Sequence, residues 1–230
     1  MESTQGINCH LCSLRSPLFN YLGNEELENI TNTKKRVYFK QGETIIKQGA
    51  PLTHVISFTN GLAKAYIEGK NNRNLILQFI RPTNFIGGPG IYVDSKHYFT
   101  VTAIEDSAVC FIDMAVFKDI IRKNPDFADA FLQQLSRNGI FNYERFISLT
   151  QKNMPARIAD GLLYLQNEIF AGRNNEINIS KQDLADLTGM TKDSVIRTLK
   201  ELMDDQYIEV DQSKITIIDL SKLTRLSEHG

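Results

Sequence analysis

The stretch ISKQDLADLTGMTKDSVIRTLKELMDDQYIEV, residues 179–210, constrains this chain more than any other, because it permits little except two short helices across a tight turn with strands following. Ser180 precedes a polar-apolar run and has Asp183 three residues on. That spacing predicts a capping box, the hydroxyl accepting from a free helical N–H while the carboxylate reaches back. Leu184 and Leu187 supply a buried stripe. Gly189 can take the positive φ of a sharp turn, and Thr191 is suited to cap a second helix whose inward positions are Val195, Leu199 and Leu202. The opposite face carries Lys192, Asp193, Ile196, Arg197 and Lys200, clustered toward the helix N-terminus, where recognition helices present side chains to base edges. Residues 207–210 and 215–218 are β-prone and are joined by a turn over 211–214, the pattern of a wing. Taken alone, the segment also fits an ordinary helical hairpin inside a larger core, so the rest of the chain must decide.

A length of 230 residues is enough for two domains, and a hydrophobic fraction of 42% supports real cores. No stretch approaches the apolar length of a membrane span, and MESTQGINCHLC lacks the charged start and hydrophobic run of a secretory signal. A cytoplasmic location with no membrane partner is the expectation. The charge balance is less helpful to a DNA reading: residues 155–230 hold nine Lys or Arg against thirteen acids, a net charge of −4. Attraction to phosphate must then come from local placement of Lys181, Lys192, Arg197, Lys200 and Lys214, backed by the helix starts at Ser180 and Thr191. Weak binding to random duplex, and dependence on a dimer that doubles the contacts, are predicted.

Ahead of this module the texture changes twice. Residues 1–20 read as a polar arm with a Cys-x-x-Cys, and residues 24–31 as a short helix with Leu27 and Ile30 inward. From 37 to 111, short apolar runs at 44–46, 54–58, 63–67, 75–80, 99–103 and 108–112 alternate with glycine turns, which predicts an antiparallel barrel or roll. Residues 115–123 read as a helix that stops before Asn124-Pro125, since the residue preceding proline disfavours the α region. A longer helix follows over 126–150. Ala128, Leu132, Leu135, Gly139, Phe146 and Leu149 form one stripe, and Phe127, Phe131, Ile140, Tyr143 and Ile147 lie elsewhere around it. One face can pack on the roll and another on a second copy of the chain; burial within one subunit is the alternative. Met154-Pro155 opens the last domain, whose first helix is expected over 156–170. The fold class is therefore α+β, divided into an arm (1–20), a β-roll sensor domain (21–113), a helical linker with a dimerisation helix (114–153) and a winged helix-turn-helix (154–230).

With GETIIKQGAPLTHVISFTNGLAKAYIEG for the roll, TNFIGGPGIYV for an effector segment, SAVCFIDMAVF leading to the long helix, and ISKQDLADLTGMTKDSVIRTLKELMDDQYI after it, the chain resembles the CRP/FNR family of bacterial transcription regulators over nearly its whole length. The resemblance implies a homodimer paired through the long helix, a cyclic-nucleotide-binding-like roll, and two recognition helices in successive major grooves of a roughly palindromic duplex, with RNA polymerase as a compatible partner. Lys192, Asp193 and Arg197 match the positions that hold base-reading and phosphate-contacting side chains. Arg197 can make paired hydrogen bonds to guanine, and Ile196 can touch a thymine methyl. Asp193 stands where many members carry the longer Glu. A solvated helix face is the bland alternative for each.

The effector is harder to read. The cyclic-AMP-binding branch clamps its ligand with a Glu after a Gly and with a later Arg-Ser pair. Here Gly88 follows Gly87, and His97-Tyr98-Phe99-Thr100 replaces the Arg-Ser region, so the charge-assisted contacts to a cyclic phosphate are missing and cyclic AMP is rejected. Phe85, Gly87, Gly88, Tyr98, Phe99 and Thr100 are the candidate pocket residues. The oxygen-sensing branch holds a [4Fe-4S] cluster on an N-terminal Cys-x2-Cys-x5-Cys plus a Cys in the roll. Cys9, Cys12 and Cys110 fill three of those places and Leu18 the fourth. An iron-sulfur cluster, a zinc site, a reversible Cys9–Cys12 disulfide and unliganded thiols all remain open for this set.

Two function classes follow: a sequence-specific DNA-binding regulator without catalytic activity, and a metal, redox or small-ligand sensor whose C-terminal module mainly makes protein contacts. No phosphate-binding Gly-rich loop with Lys, metal-ligand helix, or nucleophile-base spacing points to an enzyme.

Overall fold

The computed structural model of the chain describes residues 8–172 and 176–230. The first seven residues of the expected arm and Arg173 lie outside them. The chain divides into two compact units, one of residues 1–68 with 78–139 and the other of 69–77 with 140–230.

Two four-stranded sheets form the roll. One has the order β1 (Lys35–Phe39), β8 (Ser107–Asp113), β3 (His54–Asn60), β6 (Phe85–Ile86). The other runs β2 (Thr44–Ile46), β7 (Thr100–Ala103), β4 (Ala63–Ile67), β5 (Leu75–Ile80). Phe58, Val101 and Val109 are fully buried in one hydrophobic cluster. Strands β1 and β6 are additions to the expected pattern. Two apolar residues in a row, as in β6, carry no periodicity to read.

A second core lies where the strands meet helices. Leu27 and Ile30 of α1 (Asn24–Thr33) join Phe85, Phe117 of α2 (Met114–Lys123), and Phe127 and Phe131 of α3 (Pro125–Gln151). Phe85 stacks on Phe117 with centroids 5.4 Å apart, and Phe131 meets Phe117 edge-on at 5.1 Å. Such pairs add about 0.5–1.5 kcal/mol each beyond burial. Helix α2 starts at Met114 because the Asp113 carboxylate accepts from Ala115 N at 2.7 Å and Val116 N at 3.4 Å. It ends at Asn124, whose side-chain oxygen then accepts from Phe127 N and so starts α3.

Helix α3 does not keep its two expected stripes apart. Phe127, Ala130 and Phe131 are buried, while Leu132, Ile140, Tyr143, Phe146 and Ile147 are exposed. The exposed set takes members from both stripes. A straight helix drifts about 20° per heptad against a seven-residue repeat, so over this length the inward face changes residues.

The second unit centres on α4 (Met154–Tyr164), capped by Asn153 and continued by a π-helical turn, Leu165–Ile169. Helices α5 (Lys181–Thr188) and α6 (Lys192–Asp204) follow, with a three-stranded antiparallel sheet of order β10 (Ile208–Asp211), β11 (Lys214–Ile217), β9 (Glu176–Asn178). The wing strands sit within a residue of their expected places. Helix α7 (Leu220–His229) was not expected; Asp219 caps it by accepting from Lys222 N at 2.8 Å, and Leu223 is fully buried.

Candidate functional site

The helix pair is fixed at both ends by its own sequence. Ser180 Oγ accepts from Asp183 N at 3.0 Å and donates to Asp183 Oδ2 at 2.6 Å. The carboxylate therefore reaches the hydroxyl rather than the backbone N–H of Ser180, as suits Asp, one methylene shorter than the Glu of a full capping box. Gly189 takes φ +63° and ends α5 in the left-handed conformation, where a side chain would be strained. Thr191 Oγ1 accepts from Ser194 N at 3.2 Å and opens α6.

The two faces of α6 are then fully separated. Val195, Thr198, Leu199 and Leu202 are buried. Lys192, Asp193, Ile196, Arg197 and Lys200 are all exposed. Their offsets of one, four, five and eight residues place them on one side of a 3.6-residue helix. Ile196 is 48% exposed among charged neighbours, an apolar side chain in the middle of an otherwise polar face.

Two of the expected phosphate-seeking cations are already engaged. Lys181 Nζ donates to the Gln212 carbonyl at the wing turn, 2.7 Å away, and burial pushes its pKa down. Lys214 pairs with Glu176 at 2.6 Å across the small sheet. Ser180 and Thr191 likewise spend their hydroxyls on capping. Lys192, Arg197 and Lys200 are the cations left on the outward face of α6.

The candidate effector residues of the roll do not form one pocket wall. Phe85 is 6% exposed and belongs to the aromatic core, because its strand partners and Phe117 cover it. A Cβ on Gly87 would lie 2.9 Å from Ile91 Cδ1, so that position is filled by packing, whereas Gly88 has ordinary clearance from Leu52 and Phe99. Phe99 packs against the roll core and Tyr98 points outward, its hydroxyl donating to Asp94 at 3.0 Å. Gly90 is required by a close approach, since a Cβ there would strike the Lys96 carbonyl at 2.0 Å. Thr100 is buried, and its hydroxyl donates to Glu68 Oε1 at 2.5 Å while accepting from Gln48 N. Hydrogen bonds from Lys47 and then Thr100 hold the Glu68 carboxyl below its ordinary pKa, which keeps an anion beside Thr100. That carboxylate opposes a phosphate at the same place.

The three cysteines, by contrast, do converge. Cys9, Cys12 and Cys110 line one small cavity of about 30 Å³ together with Lys34, Arg36 and Ser57. Cys9 and Cys110 are buried and Cys12 is partly so. Cys9 is held by its backbone N–H to Thr31 Oγ1 at 3.1 Å and by Arg15 on its carbonyl. Leu18, in the place of a fourth cysteine, is 5% exposed in the hydrophobic core. A [4Fe-4S] cluster takes four thiolates, and a cavity of this size holds about one water molecule. The residues therefore do not fit a four-thiolate cluster, and among the described residues no three His, Cys, Asp or Glu are grouped to hold a metal ion. Lys34, Arg36 and Ser57 were not singled out from the sequence; Arg36 and Ser57 meet Cys110 only through strand register.

The cyclic nucleotide-binding domain family matches residues 36–124, and the Crp-like helix-turn-helix domain family matches residues 156–226. Electron transport regulator A of Shewanella oneidensis is 25% identical over 229 residues, covering 96% of this chain and 90% of that protein. The anaerobic regulatory protein of Pasteurella multocida is 24% identical, covering 96% and 83%. Among solved structures, a protein of Eubacterium rectale ATCC 33656 described under transcriptional regulators of the CRP/FNR family superimposes with a TM-score of 0.77 at 20% identity, covering 92% of this chain and 98% of that one. With a cyclic-nucleotide-binding-like roll, a long helix and a Crp-like helix-turn-helix in that order, the chain belongs to the CRP/FNR family of DNA-binding transcription regulators.

Proposed function

We propose that this regulator reads its operator through the outward face of α6, with Arg197 hydrogen-bonding a guanine edge, Asp193 accepting from a base amino group, Ile196 against a thymine methyl, and Lys192 and Lys200 on phosphates. The observation that carries this reading is the split of α6 into a buried stripe and an exposed face whose N-terminal two turns hold those five side chains. Ser180, Thr191 and Lys181 support it from the helix starts, where free N–H groups favour phosphate, although their side chains are committed to caps and to the wing turn.

A homodimer on a roughly palindromic site is part of the same proposal. The C-terminal half of α3 leaves Ile140, Tyr143, Phe146 and Ile147 exposed, an apolar row that a second copy of the helix would cover. Within the second unit, Arg145 of α3 donates to the carbonyl of Leu187, in the last turn of α5, at 2.5 Å, and to that of Leu77 at 3.4 Å. A cation at a helix C-terminus is favourable, so a shift of α3 would act directly on the helix that precedes the turn. The division into arm, sensor roll, dimerisation helix and reading head, with a cytoplasmic location and RNA polymerase as a further partner, completes the picture.

The effector is not cyclic AMP. Glu68 stands beside Thr100, and Phe85 is locked in the core. Selection of duplexes from a random library by the purified protein tests the DNA reading. A two-fold symmetric sequence should be enriched, with binding that weakens steeply as salt rises. Recovery of no common sequence would sink it.

A further inference from the structure

The thiol cavity carries more chemistry than packing needs. Arg36 on β1 and Ser57 on β3 lie directly across from Cys110 on β8, one on each side. Residues opposite one another on neighbouring strands share a face, so the Cys110 sulfur sits in a row between a guanidinium and a hydroxyl. Among the described residues, the buried Nε of Arg36 and Oγ of Ser57 have no hydrogen-bond partner. Native structures pair nearly all such groups, so each unpaired one calls for an explanation, and a redox role is among those that leave a buried donor waiting. On the other wall, Lys34 Nζ donates to Cys9 Sγ at 3.2 Å. The charge of Lys34 also acts on Cys110: burial pushes that thiol up, and Lys34 and Arg36 pull it back. One ammonium thus serves both buried sulfurs.

We infer that Cys9 and Cys110 form a peroxide-oxidisable thiol pair, Cys9 meeting the oxidant and Cys110 closing a disulfide that ties the arm to the central strand pair of the roll. Cys9 gives up its proton and its sulfur attacks one oxygen of a hydroperoxide. The O–O bond breaks, the leaving oxygen departs as water or an alcohol after taking a proton, and Cys9 becomes a sulfenic acid. The Cys110 sulfur then attacks the Cys9 sulfur, an S–S bond forms, and the hydroxyl leaves as water with the Cys110 proton. Two thiols and one peroxide give one disulfide, one water or alcohol and one further water. Arg36 Nε, Ser57 Oγ and Lys34 Nζ are the donors for the oxygen and negative charge that pass through the cavity. Cys12, on the same wall but partly exposed, is a bystander.

The test uses the full-length protein, purified reduced and without oxygen, treated with hydrogen peroxide, then alkylated and mapped by mass spectrometry. A Cys9–Cys110 linked peptide that dithiothreitol reverses is expected, and Cys12→Ser should leave that product in place. Lys34→Met should slow its formation about tenfold, the loss expected when a charge-assisted hydrogen bond to the sulfur is removed. A Cys9–Cys12 link, an interchain link alone, thiols that stay free, or a tightly held metal that shields them would each overturn the assignment. The readout is a peptide mass and involves no DNA, so its failure and that of the DNA-reading proposal are separate results; the proposed sensor role of the roll is what gives the bond a consequence.

Discussion

Along α6, five consecutive outward positions hold exposed side chains, four of them charged, over a stripe that is buried without exception. Between residues 85 and 100 in the roll the order is reversed: Phe85, Gly87 and Thr100 are taken into packing or internal hydrogen bonds, and Tyr98 alone among the candidates there stands clearly in solvent. Both segments are short and polar-apolar in composition. They differ in what their functional-looking groups already touch. A reading surface keeps its donors and acceptors for a partner, whereas a loop whose aromatic and hydroxyl groups are satisfied internally has little left to offer a ligand.

Removing a side chain from each region gives the most direct way to break that contrast. Phe85→Ala should cost about 3–5 kcal/mol of stability, as for other buried aromatics, read by denaturant unfolding. A loss below 1 kcal/mol would return Phe85 to a pocket wall. Arg197→Ala should do the opposite, weakening specific duplex binding by about 1–3 kcal/mol per half-site while leaving the unfolding midpoint unchanged. If stability falls and affinity does not, α6 is not a reading face.

The caps sharpen the comparison at smaller scale. Ser180→Ala should lower stability by about 1 kcal/mol, because the hydroxyl holds the first turn of α5 and not a ligand, and Thr191→Ala should act similarly on α6. Thermal unfolding measures both. Smallest is the pH effect at Glu68. Its folded pKa is depressed, first by Lys47 and then by Thr100, so its contribution is present above the ordinary carboxylate range and is lost as pH falls through the folded value. Glu68→Gln should therefore flatten the acid limb of the stability profile. An unchanged acid limb would show that the carboxylate is not held there in solution.

The helix-turn-helix was legible because its signals are local. Ser180, Asp183, Gly189 and Thr191 act within three residues of themselves, and the inward stripe of α6 repeats at helical spacing. The roll was legible as a class through glycine spacing, and most of its strands fell within two residues of their expected ends. Helix α7 could have been found from Asp219 followed by Leu220, Leu223 and Leu226 at helical spacing. The arm cysteines and Cys110 are visible as residues, but their meeting is not: it needs β1, β8 and β3 in one register and the arm folded back on them.

Chain order, caps and hydrophobic period by themselves determined the two-part architecture and the face of α6 that is left outside, since each depends on residues within one or two turns of one another. Tertiary structure alone decided that Phe85 is core, that Lys181 and Lys214 are engaged, and that Lys34, Arg36 and Ser57 surround the buried thiols. Those outcomes depend on strand register and on which side of a sheet a distant segment covers, and a one-residue slip in register would send the strand residues among them, Phe85, Lys214, Arg36 and Ser57, to the other face.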